Sequence, residues 1–546
     1  MRPGVRQEWL VSTVLRLLAC AAATHGASAV SARDESPAPS EPGEHGEQAA
    51  PGAQFDLWEI RVVGSSVLPN RDIESVVYPF LGPGKTIADV ESARAALEEL
   101  LHERGYGTVF VDIPEQQVDE GLVRLQVTEG KLNSVRLRGA RYFSNRALRA
   151  ELPAATSGTV PHLPTVQREI TAVNVQTADR TVTPVLKAGP VPGTVDLELK
   201  VKDRLPVHAS LELNNAYTAD TTELRAVAAV SYDNMFGRLD SFSLQYQTSP
   251  LDTSEVGVLA ASYVARLRDS DARLAAFYVS SDTDVATVGA LGVLGKGTVA
   301  GLRYVNPLNP GRLASQTLTL GVDYKDFTED ILLEDDPSLT TPISYVNWSA
   351  AYGASWRDGD RALTAEVTAN FGLRGDGNDE DEFANKRYRA RPNYFYVRGD
   401  ASFLSPLSAG LALRLGLSGQ VAVEPIIANE QYPIGGVMGV RGYLEAEALG
   451  DVGLKTTVQL ESRRWTAFDD RFSLGAYGFV DYGFVGTLQP LPDEAGGTDL
   501  AGIGVGLDLR APGNVAGSIA FAYPLIDGTR TEAGDARVHF SLRSSW

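Results

Sequence analysis

The stretch GGVMGVRGYLEAEALGD, Gly435–Asp451, lies between two segments whose apolar residues alternate as membrane β-strands do. At its centre is Val440-Arg441-Gly442-Tyr443. An arginine at a glycine turn, on a loop inside an outer-membrane barrel, costs free energy unless an anion meets it. The candidate anion is Asp481 in "GFVDYG", on the second strand after the loop.

Working outward, helical periodicity is absent from about Leu205 to Trp546. About sixteen segments of alternating apolar and polar residues follow one another, among them "LDSFSLQYQTS", "AGLALRLGLSGQV" and "VAGSIAFAYPL". The even number suits a single-chain bacterial barrel. Tight connections such as "RDGD" and "APGN" alternate with longer acidic ones such as "TEDILLEDDPSLT" and "RGDGNDEDEFANK". Short turns on one side and long loops on the other are the barrel pattern. In the terminal "VHFSLRSSW", Val538, Phe540, Leu542, Ser544 and Trp546 share one face by period two. Phe540, Leu542 and Trp546 form the expected barrel-insertion signal.

Before the barrel, one order of elements occurs twice. "DLWEIRVVG" reads as a strand, "NRDIESVVYPFL" as a helix with Asn70 as N-cap, and "ADVESARAALEELLHERG" as a helix ended by Gly105. "GTVFVDI" and "GLVRLQVTEG" then read as strands. The order returns in "LNSVRLRG", "SNRALRAEL" with Ser144 as cap, "PTVQREITAVNVQ", "RTVTPVLKAG" and "GTVDLELKVKD". The expected fold is therefore mostly β: a 16-stranded antiparallel transmembrane β-barrel over 204–546, preceded by two small α+β domains at 55–130 and 131–203. Residues 30–54, rich in Pro, Glu, Ser and Gly, read as a disordered linker. Residues 1–29 read as a signal peptide, with Arg2 and Arg6, an apolar run over Leu10–Ala23 and a small-residue site at Ala27-Ser28-Ala29. The run "LLAC" ending at Cys20 also resembles a lipoprotein box, but the apolar run continues past it, which favours ordinary cleavage.

Composition narrows the function. The 546 residues carry 49 Lys+Arg against 69 Asp+Glu, a net charge of −20. That balance argues against nucleic acid as a partner, because phosphate binding needs clustered cations. The single cysteine, Cys20, leaves no disulfide framework or thiolate metal site after residue 29. No HExxH, GxSxG, CxxC or P-loop pattern occurs, so no catalytic residue, cofactor or metal is expected. Gly502, Gly504 and Gly506 stand inside a strand pattern and read as thin barrel wall. The carboxylates of "GDGNDEDE" could ligate Ca²⁺, but their spacing is not that of an EF-hand, and a solvated acidic loop is the favoured reading.

With these residues in view, the chain from Phe55 to Trp546 resembles the two-partner secretion outer-membrane translocators, the haemolysin and filamentous-adhesin secretion and activation family. The repeated units, joined through "VTEGKLNSVRLRG", resemble polypeptide-transport-associated (POTRA) domains. The resemblance implies that Arg441 in the Val440–Tyr443 motif folds back into the lumen and pairs with Asp481. Phe479, two residues before Asp481, faces the same side. Gly435, Gly436 and Gly442 let the loop turn tightly, and Tyr443 braces its tip. The family carries an N-terminal plug helix, but residues 30–54 are poor in helix formers, so its usual form is not expected here. POTRA sheet edges can capture an extended segment by strand addition. The preferred edge is Thr108, Val109, Phe110, Val111, Asp112 and Ile113. The implied partners are a large secreted β-rich protein of adhesin or cytolysin type, outer-membrane lipid, and the barrel-assembly machinery during biogenesis. The rival within the superfamily is a barrel-assembly insertase. A passive porin needs no peptide-capturing module.

Overall fold

The computed structural model describes residues 54–546 apart from 119, 220, 268–269, 284, 289–290, 309–313, 329, 334–335, 470 and 493–494. The expected signal peptide and all but the last residue of the expected linker lie outside the described residues. The chain divides into two compact units, one ending at Leu205 and one starting at Pro206.

The N-terminal unit holds two copies of one α+β motif. In the first, strands β1 (Phe55–Leu57), β2 (Glu59–Val63) and β3 (Gly82–Lys85) enclose helix α1 (Asn70–Val77). Helix α2 (Ile87–Glu103) and strands β4 (Val109–Asp112) and β5 (Leu122–Glu129) follow. The sheet runs β2-β5-β4, with β2 parallel and β4 antiparallel to the central strand. The second copy is β6 (Lys131–Arg138), α3 (Asn145–Ala150), α4 (Leu163–Val175), β7 (Arg180–Ala188) and β8 (Thr194–Asp203). Its sheet repeats the topology as β6-β8-β7.

Local chemistry accounts for these elements. In α2, Val90, Ala93, Leu97 and Leu101 recur at helical spacing and are buried against Val123, Leu125 and Val127 of β5. A capping box between Thr86 and Asp89 starts that helix, and Gly105, at φ +89°, follows its end. Ser144 caps α3 as expected, accepting from the Ala147 amide. Asn70 does not cap α1. It is the first helical residue, and the cap position is Pro69, whose extended backbone (φ −62°, ψ 142°) makes the entry without a side-chain bond.

The C-terminal unit is a closed antiparallel barrel of sixteen strands. They are β9 (Val207–Asn214), β10 (Arg225–Met235), β11 (Asp240–Thr248), β12 (Gly257–Arg266), β13 (Arg273–Ser281), β14 (Gly297–Leu308), β15 (Ala314–Phe327) and β16 (Ile343–Asp358). There follow β17 (Arg361–Gly372), β18 (Phe395–Pro406), β19 (Ala412–Ala422), β20 (Val452–Glu461), β21 (Phe472–Gly486), β22 (Gly497–Ala511), β23 (Val515–Pro524) and β24 (Arg537–Ser545). The short piece Trp465–Ala467 continues the position of β20 beside β21. Strand β24 returns to β9 through five register pairs, Ser541↔Asn214 to Ser545↔Ser210. Closure removes the free edges, so backbone groups in the wall find partners without water.

Side-chain alternation then sorts lipid from lumen. Leu244, Leu302, Val458, Ile503 and Phe521 are exposed on the outer face. Val538, Leu542 and Trp546 of the terminal signature are exposed too, on the face expected from period two. The connections at 359–360 and 512–514 are tight turns, whereas those at 373–394 and 423–451 lie at the opposite, outer end. In the run at 373–394 the carboxylates of Asp376, Asp379, Glu380 and Asp381 are exposed, as expected of a solvated acidic segment, but the run is not all loop. It forms helix α5 (Glu380–Lys386), with Asp379 as N-cap and Phe383 fully buried.

Candidate functional site

The 423–451 connection folds back into the barrel because the wall beside it leaves room. On β21, Tyr477, Phe479 and Asp481 face inward on alternate residues, and Gly506, Gly504 and Gly502 stand opposite them on β22. A Cβ on Gly502 would lie 2.1 Å from the Arg441 carbonyl oxygen, and one on Gly504 would lie 2.4 Å from the Phe479 ring. The glycine run is therefore a recess shaped for the loop and its aromatic neighbours.

Arg441 fills that recess. Its Nε donates to Asp481 Oδ2 at 2.7 Å and its Nη2 to Oδ1 at 2.8 Å, a bidentate pair. The Arg441 amide adds a bond to Oδ2 at 3.1 Å, and Nη1 donates to Gln459 Oε1 at 3.0 Å. The guanidinium carbon lies 3.4 Å from the centre of the Phe479 ring, so one face of the cation is stacked while its edge is paired. Asp481 has no solvent exposure.

The rest of the motif locks the turn. Gly435 and Gly442 hold φ of +100° and +103°, where a β-carbon is strained. A Cβ on Gly436 would meet the Glu445 carboxylate. Val440 and Tyr443 are fully buried with Ile434, Val485 and Leu500. The Tyr443 hydroxyl sits 2.7 Å from the Ile526 carbonyl and 2.9 Å from that of Ala501, bridging β22 and the connection after β23 with one donor.

Several anchors have no counterpart in the sequence reading. The Gly442 amide donates to His539 Nε2 at 3.0 Å, which leaves the neutral ring's proton on Nδ1. Glu447 accepts from the Thr531 amide at 2.8 Å and from its hydroxyl at 2.9 Å, tying the loop to the 525–536 connection. Glu430 is buried with Lys325 and the hydroxyls of Tyr345 and Tyr396. Burial alone would raise the Glu430 carboxyl, but Lys325 and the two hydroxyls outweigh it and hold it below the usual glutamate range. Asp451, at the loop's far end, pairs with Arg387. Acidic residues spaced through a loop were the only available signal, and nothing in the sequence names their partners.

The sheet edge at Thr108–Ile113 has a different character. The Val109 amide donates to Tyr106, its carbonyl lies 2.9 Å from His102 Nε2, and the Val111 carbonyl accepts from Arg94 at 3.1 Å. Three outward-facing groups of β4 are thus already satisfied, although the Phe110 side chain is exposed. On β7 the Asn174 side chain bonds both backbone groups of Val182, which marks the outward parity. Pro184 and Leu186 share that parity and border an apolar cavity of about 460 Å³ with Leu163, Pro164 and Val166 of α4. Pro184 lacks an N–H and fits only an edge.

Comparison with known proteins follows the same lines. A family profile described as haemolysin secretion/activation protein ShlB/FhaC/HecB matches residues 193–509, and one described as POTRA domain, ShlB-type, matches 55–130. Outer membrane transporter CdiB of Dickeya dadantii is 24% identical over 438 residues, 77% of this chain and 74% of that one. Heme/hemopexin transporter protein HuxB of Haemophilus influenzae is 20% identical over 489 residues, 86% of this chain and 84% of its own. The solved structure of CdiB from Escherichia coli aligns with a TM-score of 0.58 at 18% identity, covering 92% of this chain and 93% of that one. BamA from Haemophilus ducreyi lacking POTRA domains 1–3 aligns at 0.57 and 15% identity, covering 90% and 100%. These two structures share the fold.

Proposed function

We infer that this chain, which belongs to the haemolysin secretion/activation family of two-partner secretion outer-membrane transporters, exports an unfolded partner protein through its barrel without ATP. The family match over residues 193–509 carries the reading. The seated Arg441 loop supports it, because a buried bidentate pair maintained inside a lumen is a device that a plain diffusion pore does not need.

In this reading the POTRA domains hold the partner extended before it enters the pore, and the partner is a large secreted β-rich protein of adhesin or cytolysin type. Strand addition needs unsatisfied backbone groups beside an apolar groove. The Thr108–Ile113 edge offers one exposed aromatic, Phe110, but little free backbone. The outer half of β7, Pro184–Ala188, is an edge of its sheet that borders the apolar cavity and is the better capture edge. Leu186→Glu should therefore reduce export more than Phe110→Glu. Folding of the product outside supplies direction, since a folded protein does not slide back. The sequence carries no P-loop pattern.

A second reading, a barrel-assembly insertase, draws on one observation: the β24–β9 seam has five register pairs, extended by backbone bonds between Ala209 and Trp546, against eight between β9 and β10. The discriminating experiment co-expresses the wild type or Arg441→Ala with the exported protein encoded beside it. Partner in the medium with wild type alone, and equal barrel in both membranes, is the result expected for export. A well-inserted wild-type barrel with no partner in the medium would transfer the assignment to the insertase.

A further inference from the structure

A layer of packed side chains crosses the outer mouth of the barrel. One buried cluster joins Val258 of β12, Val279 of β13 and Phe327 of β15 to Phe383 of α5 and to Ile426 and Ile427 of the 423–451 loop. A second joins that same loop, through Tyr432, Val440 and Tyr443, to Val485 of β21 and Leu500 of β22. The loop carrying Arg441 is thus the middle of the layer, and α5 is its other half.

The bonds of the α5 segment fall into two groups. On one side it is tied to the start of β16 and the residues before it. Asn378 Oδ1 accepts from the Val346 amide at 2.6 Å, Glu382 accepts from the Ser344 amide at 3.0 Å, and Lys386 donates to the Thr341 carbonyl at 3.1 Å. On the other side Arg387 reaches only into other connections, and the exposed Arg389 donates to Gln489 Oε1 at 2.7 Å. The Arg387 Nη2 donates to Asp451 Oδ2 at 2.7 Å, and its Nη1 bonds Asp451 Oδ1 and the Ile426 carbonyl. Asp451 has no solvent exposure and also accepts from the Leu488 amide at 2.7 Å and the Ile426 amide at 3.2 Å. Releasing Arg387 therefore breaks no strand ladder, whereas the β16 side would stay attached as a hinge.

We propose that residues 373–394 form a cap over the outer mouth, hinged at the start of β16 and latched to the Arg441 loop by the Arg387–Asp451 pair. Opening of this latch regulates passage. The inference rests on the export reading, because only an exported chain would need the cap to lift. An ion pair suits a latch: it holds firmly when intact, yet water can solvate both halves once they part.

The test measures conductance of the purified full-length protein in planar lipid bilayers, which needs no exported partner. Arg387→Ala strands a buried carboxylate and should raise the open probability on the order of 100-fold or more. Arg387→Lys, which keeps the charge but not the fork, should fall between. Phe383→Ala, altering the cap alone, should act in the same direction. Assembly of each barrel is checked by heat-dependent gel mobility. Unchanged conductance in assembled Arg387→Ala and Phe383→Ala barrels overturns the cap, and so does failure of both to assemble, which would make the segment architectural. Raised conductance with no partner exported even by the wild type leaves the cap standing and removes the export reading.

Discussion

Removing the Arg441 side chain should free its loop without dismantling the barrel. The lost interactions are two charge-assisted bonds to Asp481, one bond to Gln459 and the stacked contact with Phe479. Asp481 then remains buried without a countercharge, a change worth about 3–5 kcal/mol. At about 1.4 kcal/mol per decade, the population with the loop undocked should rise roughly 10²- to 4 × 10³-fold. Val440, fully buried beside Arg441, is the place to read it. The chain's one cysteine is Cys20, so Val440→Cys introduces a distinctive thiol whose modification rate tracks the open population. The rate is compared in Val440→Cys, in Val440→Cys with Arg441→Ala, and in that variant with Asp481→Asn added. The second should react about 10²-fold faster or more, and the third should recover much of the difference because no buried charge is stranded. A rate within about threefold of the parent in the Arg441→Ala background, under 1 kcal/mol, would refute the argument that this pair holds the loop.

Three further outcomes follow from the same geometry. Tyr443→Phe removes the hydroxyl spanning Ala501 and Ile526 and should loosen the loop by about 1–3 kcal/mol, seen as faster thiol modification at position 440. Gly504→Val places a Cβ 2.4 Å from the Phe479 ring and should displace that ring from Arg441, lowering assembled barrel yield or speeding the same modification. A normal yield with unchanged modification would count against the recess. For pH, the folded Glu430 carboxyl lies below its ordinary value of 4.5, so its contribution is fully present above that value. It is lost as pH falls through the lower folded value. Loop protection should therefore be flat from neutral pH to about 5 and fall in more acid solution, and Glu430→Gln should abolish that acid step.

The sequence by itself determined the parts that are local and periodic. Alternation of period two fixed which side chains of Asp240–Thr248 or Val515–Pro524 meet lipid, and the spacing of Val90, Ala93, Leu97 and Leu101 fixed the buried face of a helix. Period two also placed Phe479 and Asp481 on one side of a strand, while their meeting with Arg441 was implied only by resemblance to a family. Tertiary structure decided which distant groups meet. Lys325 and Glu430 are 105 residues apart, Gly442 and His539 are 97 apart, and Arg387 and Asp451 are 64 apart. None of these pairs leaves a local trace, because the partner of a loop carboxylate depends on where barrel closure brings other loops. The acidic run before Phe383 illustrates the limit. Its carboxylates are exposed as the charges suggest, yet Phe383 and the Asp379 cap fold part of it into a helix at the mouth, because the barrel supplies an apolar wall there that sequence alone does not display.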